Sequence, residues 1–192
     1  MQNSYNFKST SNTIRIPPLM LPLNLMLILI TGASGCGKTT FLQALAQQLP
    51  AQDVTVFHFD DVGVPNVQEM TEKYGSPEGW QKATSEAWIE KLSKITDKKI
   101  IILEGSFNPN FAVDRAQKLG FTNHKLLCLH ADRAIRDKRL IELRKQPELA
   151  TDDMENFAQF LKARTLALGG TVVDSGIDYP PERIAEIMQN FL

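Results

Sequence analysis

Apolar and polar positions follow two regimes along this chain. Short, nearly continuous apolar runs occur at Leu25–Ile30, Val54–Phe59, Lys99–Leu103 and His124–His130, with a weaker one at Thr171–Asp174. Runs of this length, rich in Ile, Val, Leu and Phe, read as strands of a parallel sheet covered on both faces. Between them the apolar residues recur at steps of three and four. Lys38–Gln48 carries Phe41, Leu42 and Leu45, with Leu49 just beyond, and Pro50 closes it. Pro77–Lys94 aligns Trp80, Thr84, Trp88, Leu92 and Ile95 on one helical face. Asn110–Lys118, Asp132–Lys145, Asp152–Leu168 and Pro181–Phe191 complete the predicted helices. The last opens on proline, where a first helical turn needs no N–H. The alternation predicts an α/β fold: a five-stranded parallel sheet flanked by helices, joined by right-handed crossovers.

Ahead of the first strand the pattern fails. Residues 1–18 are polar, rich in Ser, Asn and Thr, and end in Pro17-Pro18. They have no helical or strand period, which predicts a flexible extension over residues 1–25 and a single domain over 26–192. The apolar run over residues 19–30 is broken by Pro22 and Asn24 and falls short of the roughly 20 residues a bilayer span requires. With Lys8 and Arg15 before it and Ala33-Ser34-Gly35-Cys36 after it, the run faintly imitates a secretion signal, but those four residues belong to a far more specific motif. Met26 stands directly on the first strand and would be a natural chain start.

Composition narrows the class. The chain has 192 residues, 43% hydrophobic and 22% charged, which suits one globular domain and excludes disorder. A net charge of -1 argues against a non-specific nucleic-acid partner, which calls for a basic domain. The two cysteines, Cys36 and Cys128, are too few for a disulfide scaffold and suit a reducing cytoplasm. The expectation is a cytoplasmic protein with no membrane and no nucleic-acid partner, its oligomeric state left open.

The chemistry lies in Gly32-Ala33-Ser34-Gly35-Cys36-Gly37-Lys38-Thr39, which matches the phosphate-loop pattern G-x-x-x-x-G-K-[ST] in full; Thr40 follows it. An apolar strand precedes the loop and a helical period follows, as the motif requires. The loop must wrap a phosphate with its N–H groups pointing inward, and Gly32, Gly35 and Gly37 permit the necessary dihedrals and close approach. The helix after it presents the positive end of its dipole. Lys38 supplies a point charge for the β- and γ-phosphates, and the Thr39 hydroxyl is a Mg²⁺ ligand. Cys36 occupies a position whose side chain needs no chemistry.

Several phosphate-loop classes fail on missing motifs. Asp60-Asp61-Val62-Gly63 imitates a GTPase D-x-x-G switch, but no N-K-x-D guanine motif exists. There is no L-S-G-G-Q, and no Asp-Glu pair ends the third strand as in AAA-type machines. What stands there instead is an acid after each of two strands: Asp60-Asp61 after the second and Glu104 after the third. Ligands of open parallel sheets bind at the carboxyl ends of strands, so both acids should converge near the loop. A basic segment follows, with Arg133, Arg136 and Arg139 at steps of three. It reads either as a solvated helix laced with Asp–Arg pairs or as a lid whose guanidinium groups clamp phosphate.

Taken in order, GASGCGKTT (32–40), His58-Phe59-Asp60-Asp61, Leu103-Glu104-Gly105 and the spaced set Asp132, Arg136, Arg139 resemble the P-loop small-molecule kinases of the nucleoside and nucleotide kinase group. The nearest pattern is the uridine kinase, nicotinamide riboside kinase and phosphoribulokinase branch. The resemblance implies an ATP- and Mg²⁺-dependent kinase. In it, the loop residues 32–40 hold ATP and Lys38 and Thr39 serve ATP and the metal. Asp60 is the base or orienting acid, Asp61 stands beside the substrate, Glu104 supports metal or substrate, and Arg136 and Arg139 form the lid. The chain departs from that branch after Asp61, where Val62-Gly63-Val64-Pro65 replaces an aromatic residue and a polar run.

The stretch between the second and third strands, with Tyr74, Trp80 and Trp88, usually covers the acceptor in this fold. Both tryptophans share the apolar stripe, so a core-facing helix is the better reading. His58 reads as structural, and His124, Cys128 and His130 lie along one strand rather than converging on a metal. The expected activity is γ-phosphoryl transfer from ATP to a small metabolite, a nucleoside or related hydroxyl compound. The alternatives are a sugar, antibiotic or nucleotide-sugar acceptor, or a nucleotide-binding regulator without kinase activity.

Overall fold

Strand β1 (Met26–Thr31) is paired on both sides, with β3 (Ile100–Gly105) and with β4 (His124–His130). Its side chains alternate between two apolar layers, which is why its run is continuously hydrophobic. Leu27 and Leu29 join one layer with Trp80, Trp88, Ile89, Leu103 and Phe107. Ile28 and Ile30 join the other with Phe41, Leu42, Leu45, Leu129 and Ile184. β2 (Val54–His58) adds to β3 and β5 (Thr171–Asp174) adds to β4, giving an all-parallel sheet in the order β2–β3–β1–β4–β5. The computed structural model describes residues 25–176 and 181–189. The extension expected over residues 1–25 lies, but for Leu25, outside the described residues.

The helices follow the predicted positions with local corrections. α1 (Lys38–Ala46) packs on one face of the sheet near α7 (Pro181–Gln189). α3 (Pro77–Leu92) and α4 (Pro109–Lys118) pack together on the other, and α6 (Asp152–Ala167) lies against β4 and β5. Trp80 and Trp88 are both buried, and the Trp88 indole Nε1 donates to the Phe59 carbonyl at 3.0 Å. They build the core, as the shared stripe implies.

Three features depart from the pattern. β2 is an edge strand rather than a buried one, with Val56 38% exposed, and it ends at His58. Phe59–Val62 turns instead into a short 3-10 segment that buries only Phe59. A helix that the apolar spacing does not announce, α2 (Val67–Tyr74), is started by a capping box: Glu69 N donates to Asn66 Oδ1 and Asn66 N to Glu69 Oε2, each at 3.0 Å. The predicted helix Asp132–Lys145 is two pieces. α5 (Arg133–Lys138) passes into a wider π-turn over Arg139–Leu143, closed by Arg144 N donating to Arg139 O at 3.0 Å.

That break separates the three arginines. Each three-residue step falls about 60° short of a full helical turn, so they face three sectors. Arg133 points out and pairs with Asp137 and Asp152. Arg136 is 1% exposed and pairs inward with Glu155 of α6. Only Arg139 turns towards the carboxyl edge of the sheet. The Arg136–Glu155 pair clips α5 to α6 with the guanidinium buried and the carboxylate partly exposed, so removing the carboxylate strands a buried charge. Glu155→Ala is therefore expected to lower the unfolding free energy by about 3–5 kcal/mol in urea titration, on the usual scale for breaking a buried pair, while Arg133→Ala barely moves the midpoint.

His130 is buried at the end of β4, and burial, with Lys162 and Arg136 nearby, holds its imidazole below the ordinary histidine value. Above about pH 6.5 it is neutral in both the folded and the unfolded chain and contributes no pH dependence. Below that, the unfolded chain takes up a proton that the folded chain refuses, so stability falls with pH until the folded imidazole protonates. His130→Gln is expected to flatten that part of the stability–pH curve; a mutant curve parallel to wild type through this window would refute the assignment.

Candidate functional site

The loop between β1 and α1 is held by close approach. A Cβ on Gly32 would meet Cys36 Sγ and the Leu129 carbonyl oxygen at 2.6 Å each, so no larger residue fits there. Gly35 has φ 79 and lies against α5: a Cβ there would sit 2.9 Å from the Arg136 carbonyl oxygen. Gly37 caps α1 in a left-handed conformation, so α1 starts at Lys38 with its N-terminus at the loop. The Lys38 ammonium donates to Gly32 O at 2.9 Å and to Ser106 Oγ at 3.1 Å. Ser106 Oγ in turn donates to Gly32 O at 2.9 Å, which ties the end of β3 to the loop.

A cavity of about 630 Å³ opens over this loop. Ser34, Gly35, Gly37, Lys38, Thr39 and Thr40 form its floor. Asp60, Glu104 and Ser106 line it from the ends of β2 and β3, and Arg139, Leu143, Arg144 and Ser175 line it from the π-turn and the end of β5. The structure thus brings together most of the residues singled out from sequence. Gly32, Ala33 and Cys36 form the back of the loop, with Ala33 and Cys36 buried. Beyond these three loop residues, which do not line the cavity, two more expected residues are absent from the lining. Asp61 is exposed on the 3-10 turn outside it, and Arg136 is occupied with Glu155.

Besides Leu143, three polar lining residues carried no assigned role in the sequence. Ser106 follows the quoted Glu104-Gly105 and now braces Lys38. Arg144 closes the basic segment; it lies five residues after Arg139, the spacing that a π-turn brings to one face. Ser175 accepts from Arg139 Nη2 through its carbonyl at 2.7 Å, and this holds the Arg139 side chain over the loop, where Nη1 also reaches Gly35 O at 3.4 Å. His58, read as structural, supports the site directly: its Nδ1 donates to Glu104 Oε1 at 2.7 Å. Parallel pairing puts His58 and Glu104 at the same register, which neither residue's local sequence reveals.

The other oxygen of Glu104, Oε2, is buried and has no hydrogen-bond partner. An unpaired buried carboxylate oxygen is costly and fits a cation. No group of three or more His, Cys, Asp or Glu among the described residues could hold a metal by itself. Mg²⁺ needs no such cage, since it keeps waters and shares phosphate oxygens with one or two protein ligands. Thr39 and Glu104 on the same cavity fit that description. The thiols do not contribute: burial pushes Cys36 up, and it pushes Cys128 up to about 12, so both stay protonated.

Fold and cavity together define a P-loop nucleotide-binding α/β domain. The family model described as AAA domain matches residues 28–159, and the chain belongs to that family. The missing Asp-Glu pair at the third strand therefore does not exclude a family of that description. No curated protein sequence matches the chain. Solved structures with the same fold include a tunicamycin resistance protein from Deinococcus radiodurans, with TM-score 0.58 and 19% identity over 86% of this chain and 95% of that one. A shikimate kinase from Bacteroides thetaiotaomicron superposes with TM-score 0.55 and 18% identity, over 86% and 95%. A deoxyadenosine kinase from M. mycoides superposes with TM-score 0.54 and 16% identity, over 86% and 98%. The fold is that of the P-loop kinases. No helix among the described residues is long and apolar enough to cross a membrane.

The geometry ranks the cations of the cavity. In thermal denaturation with ATP and Mg²⁺, Lys38→Ala is expected to lose the nucleotide-dependent rise in Tm and Arg139→Ala to keep a reduced one. Arg136→Ala should show a lower Tm without nucleotide but a wild-type increment with it. An increment lost in Arg136→Ala and intact in Arg139→Ala would reverse the assignment.

Proposed function

We propose that this chain is an ATP-dependent phosphotransferase acting on a hydroxyl of a small metabolite, with a nucleoside or related compound as the acceptor class. The observation that carries this reading is the placement of Asp60 and Glu104 in one cavity with Lys38, Thr39 and Arg139. Phosphoryl transfer asks the protein for positioning and for charge opposite the phosphates more than for covalent chemistry. Lys38 and the loop N–H groups bind the β- and γ-phosphates. Thr39 and Glu104 hold Mg²⁺, which when bound neutralises charge on the phosphoryl oxygens. His58 orients Glu104 for that task. Arg139 and Arg144 stand over the loop and face the charge that spreads onto the transferring group.

Asp60 faces this cavity from a turn fixed at the end of β2, with Phe59 buried beneath it. It orients the acceptor hydroxyl and takes its proton. Asp61 and Arg136, which lie outside the cavity, have no part in this proposal. The nucleoside acceptor is supported by the resemblance to the uridine kinase branch, and the cytoplasmic setting by a sequence with only two cysteines. The similar structures named for shikimate kinase, deoxyadenosine kinase and tunicamycin resistance widen the acceptors to be tried.

The test is ATP consumption by the purified chain against a panel of nucleosides, shikimate, sugars and tunicamycin. One acceptor is expected to stimulate turnover well above the acceptor-free rate. Nucleotide binding with no stimulated turnover by any acceptor would instead support a nucleotide-binding regulator. With the acceptor in hand, Asp60→Asn is expected to lower kcat by about 10²–10⁴-fold, the scale of a lost general base, with little change in ATP affinity. Asp61→Asn should retain most activity. If neither substitution matters, the acceptor group needs no base and is already anionic.

A further inference from the structure

A second cavity, of about 370 Å³, opens at the carboxyl edge of the sheet between β4, β5 and α6. Leu129 and Val173 point to the α1–α7 layer, so their neighbours His130 and Asp174 point to the opposite face, where α6 packs. His130, Asp132, Lys162 and Asp174 line this cavity, with Ile135 and Gly176. His130 is 9% exposed, and its ring has no hydrogen-bond partner among the described residues. Asp132 heads α5, yet its side chain caps nothing. The Lys162 ammonium likewise has no ion-pair partner among the described residues. A deep imidazole, an ammonium and carboxylates that serve one another so little, around a space of this size, make a site for a ligand.

We propose that this cavity binds a small zwitterion of the amino-acid class, its ammonium towards Asp132 and Asp174 and its carboxylate towards Lys162 and the His130 ring. The mixed signs carry the choice. A phosphate or dicarboxylate would face two carboxylates, and a divalent cation would face Lys162. A neutral polyol would leave every charge without a counter-charge. A zwitterion alone satisfies both signs, and the Ile135 side chain offers apolar wall for a short side chain.

The two cavities share a wall. Gly176 N donates to Asp174 Oδ1 at 2.7 Å, and the residue between them, Ser175, lines the phosphate cavity and receives the Arg139 guanidinium. Asp132 starts the helix that leads into Arg139. A ligand engaging Asp132 and Asp174 therefore acts on both segments that place Arg139, and binding at either cavity should change affinity at the other by the same factor. The binding site goes beyond the kinase reading; only the coupling rests on nucleotide binding.

The experiment is thermal denaturation of the full chain near neutral pH with each protein amino acid in turn, then with the amide and the deaminated acid of any that responds. At least one amino acid is expected to raise Tm by several degrees, with neither derivative doing so. Lys162→Met and Asp132→Asn should each weaken that ligand tenfold or more. Absence of any responding amino acid, equal response to the derivatives, or a response surviving both substitutions would overturn the site. ATP titrations with and without the ligand should differ about five-fold or more, the low end of ordinary coupling; identical titrations would overturn the coupling. A protein that responds to the amino acid but not to ATP keeps this site while losing the kinase reading.

Discussion

The carboxyl edge of this sheet depends on β1 being hydrogen-bonded on both sides and buried on both faces. A strand so confined cannot slip by one residue without exchanging the side chains that fill the two layers, Leu27 and Leu29 in one and Ile28 and Ile30 in the other, and breaking their packing. Its end at Thr31 is therefore fixed against Gly105 of β3 and Cys128 of β4, and Thr31 Oγ1 donates to the Phe107 carbonyl at 2.7 Å. The loop that follows is built on a rigid base. Lys38 and Glu104 come to the same cavity because three parallel strands end at one level, not because any local motif aims them at each other. His58 reaches Glu104 for the same reason: β2 carries the register one strand further.

This explains which parts of the structure the sequence shows openly. Interior strands and long helices are legible because burial imposes a period of two or a continuous run on the former and steps of three and four on the latter. β1, β3 and β4 lie within two residues of their predicted bounds, and the tryptophan stripe of α3 is core as expected. The edge strand β2 misleads because half of its surface faces solvent, which lets Val56 be apolar without being buried. α2 is announced by Asn66 and Glu69, a capping signal rather than an apolar one. The phosphate loop is legible because its demands on the backbone are local. Ser106, Arg144 and Ser175 are not, because only the register of β3 and β5 and the shape of the π-turn bring them to the cavity.

The arginine segment shows how charge alone underdetermines role. Arg133, Arg136 and Arg139 are equivalent in spacing and sign, yet one is solvated, one is buried against Glu155, and one stands over the loop. What separates them is the surface that each sector of α5 meets. The buried pair contributes position more than energy, since an apolar pair of the same shape could be as stable. Its consequence is that the Arg136 backbone is held against Gly35, and the segment anchored there presents Arg139 from a fixed pivot.

The π-turn completes that geometry. A continued α-helix from Arg133 would carry residues five apart to different faces, and Arg144 would leave the cavity. Widening the turn at Arg139–Leu143 instead brings Arg139 and Arg144 to the same cavity, with Leu143 beside them. Such a turn sacrifices regular helix geometry, and it persists where packing or function holds it. Here the packing is visible: Leu140 is buried against Gly35 on one side, and Arg139 is tied to the Ser175 carbonyl on the other. The base of this segment is thus fastened to the phosphate loop and to the end of β5 at once. A shift of the Asp174–Gly176 segment would carry the Ser175 carbonyl with it, and so the Arg139 guanidinium that this carbonyl holds over the loop.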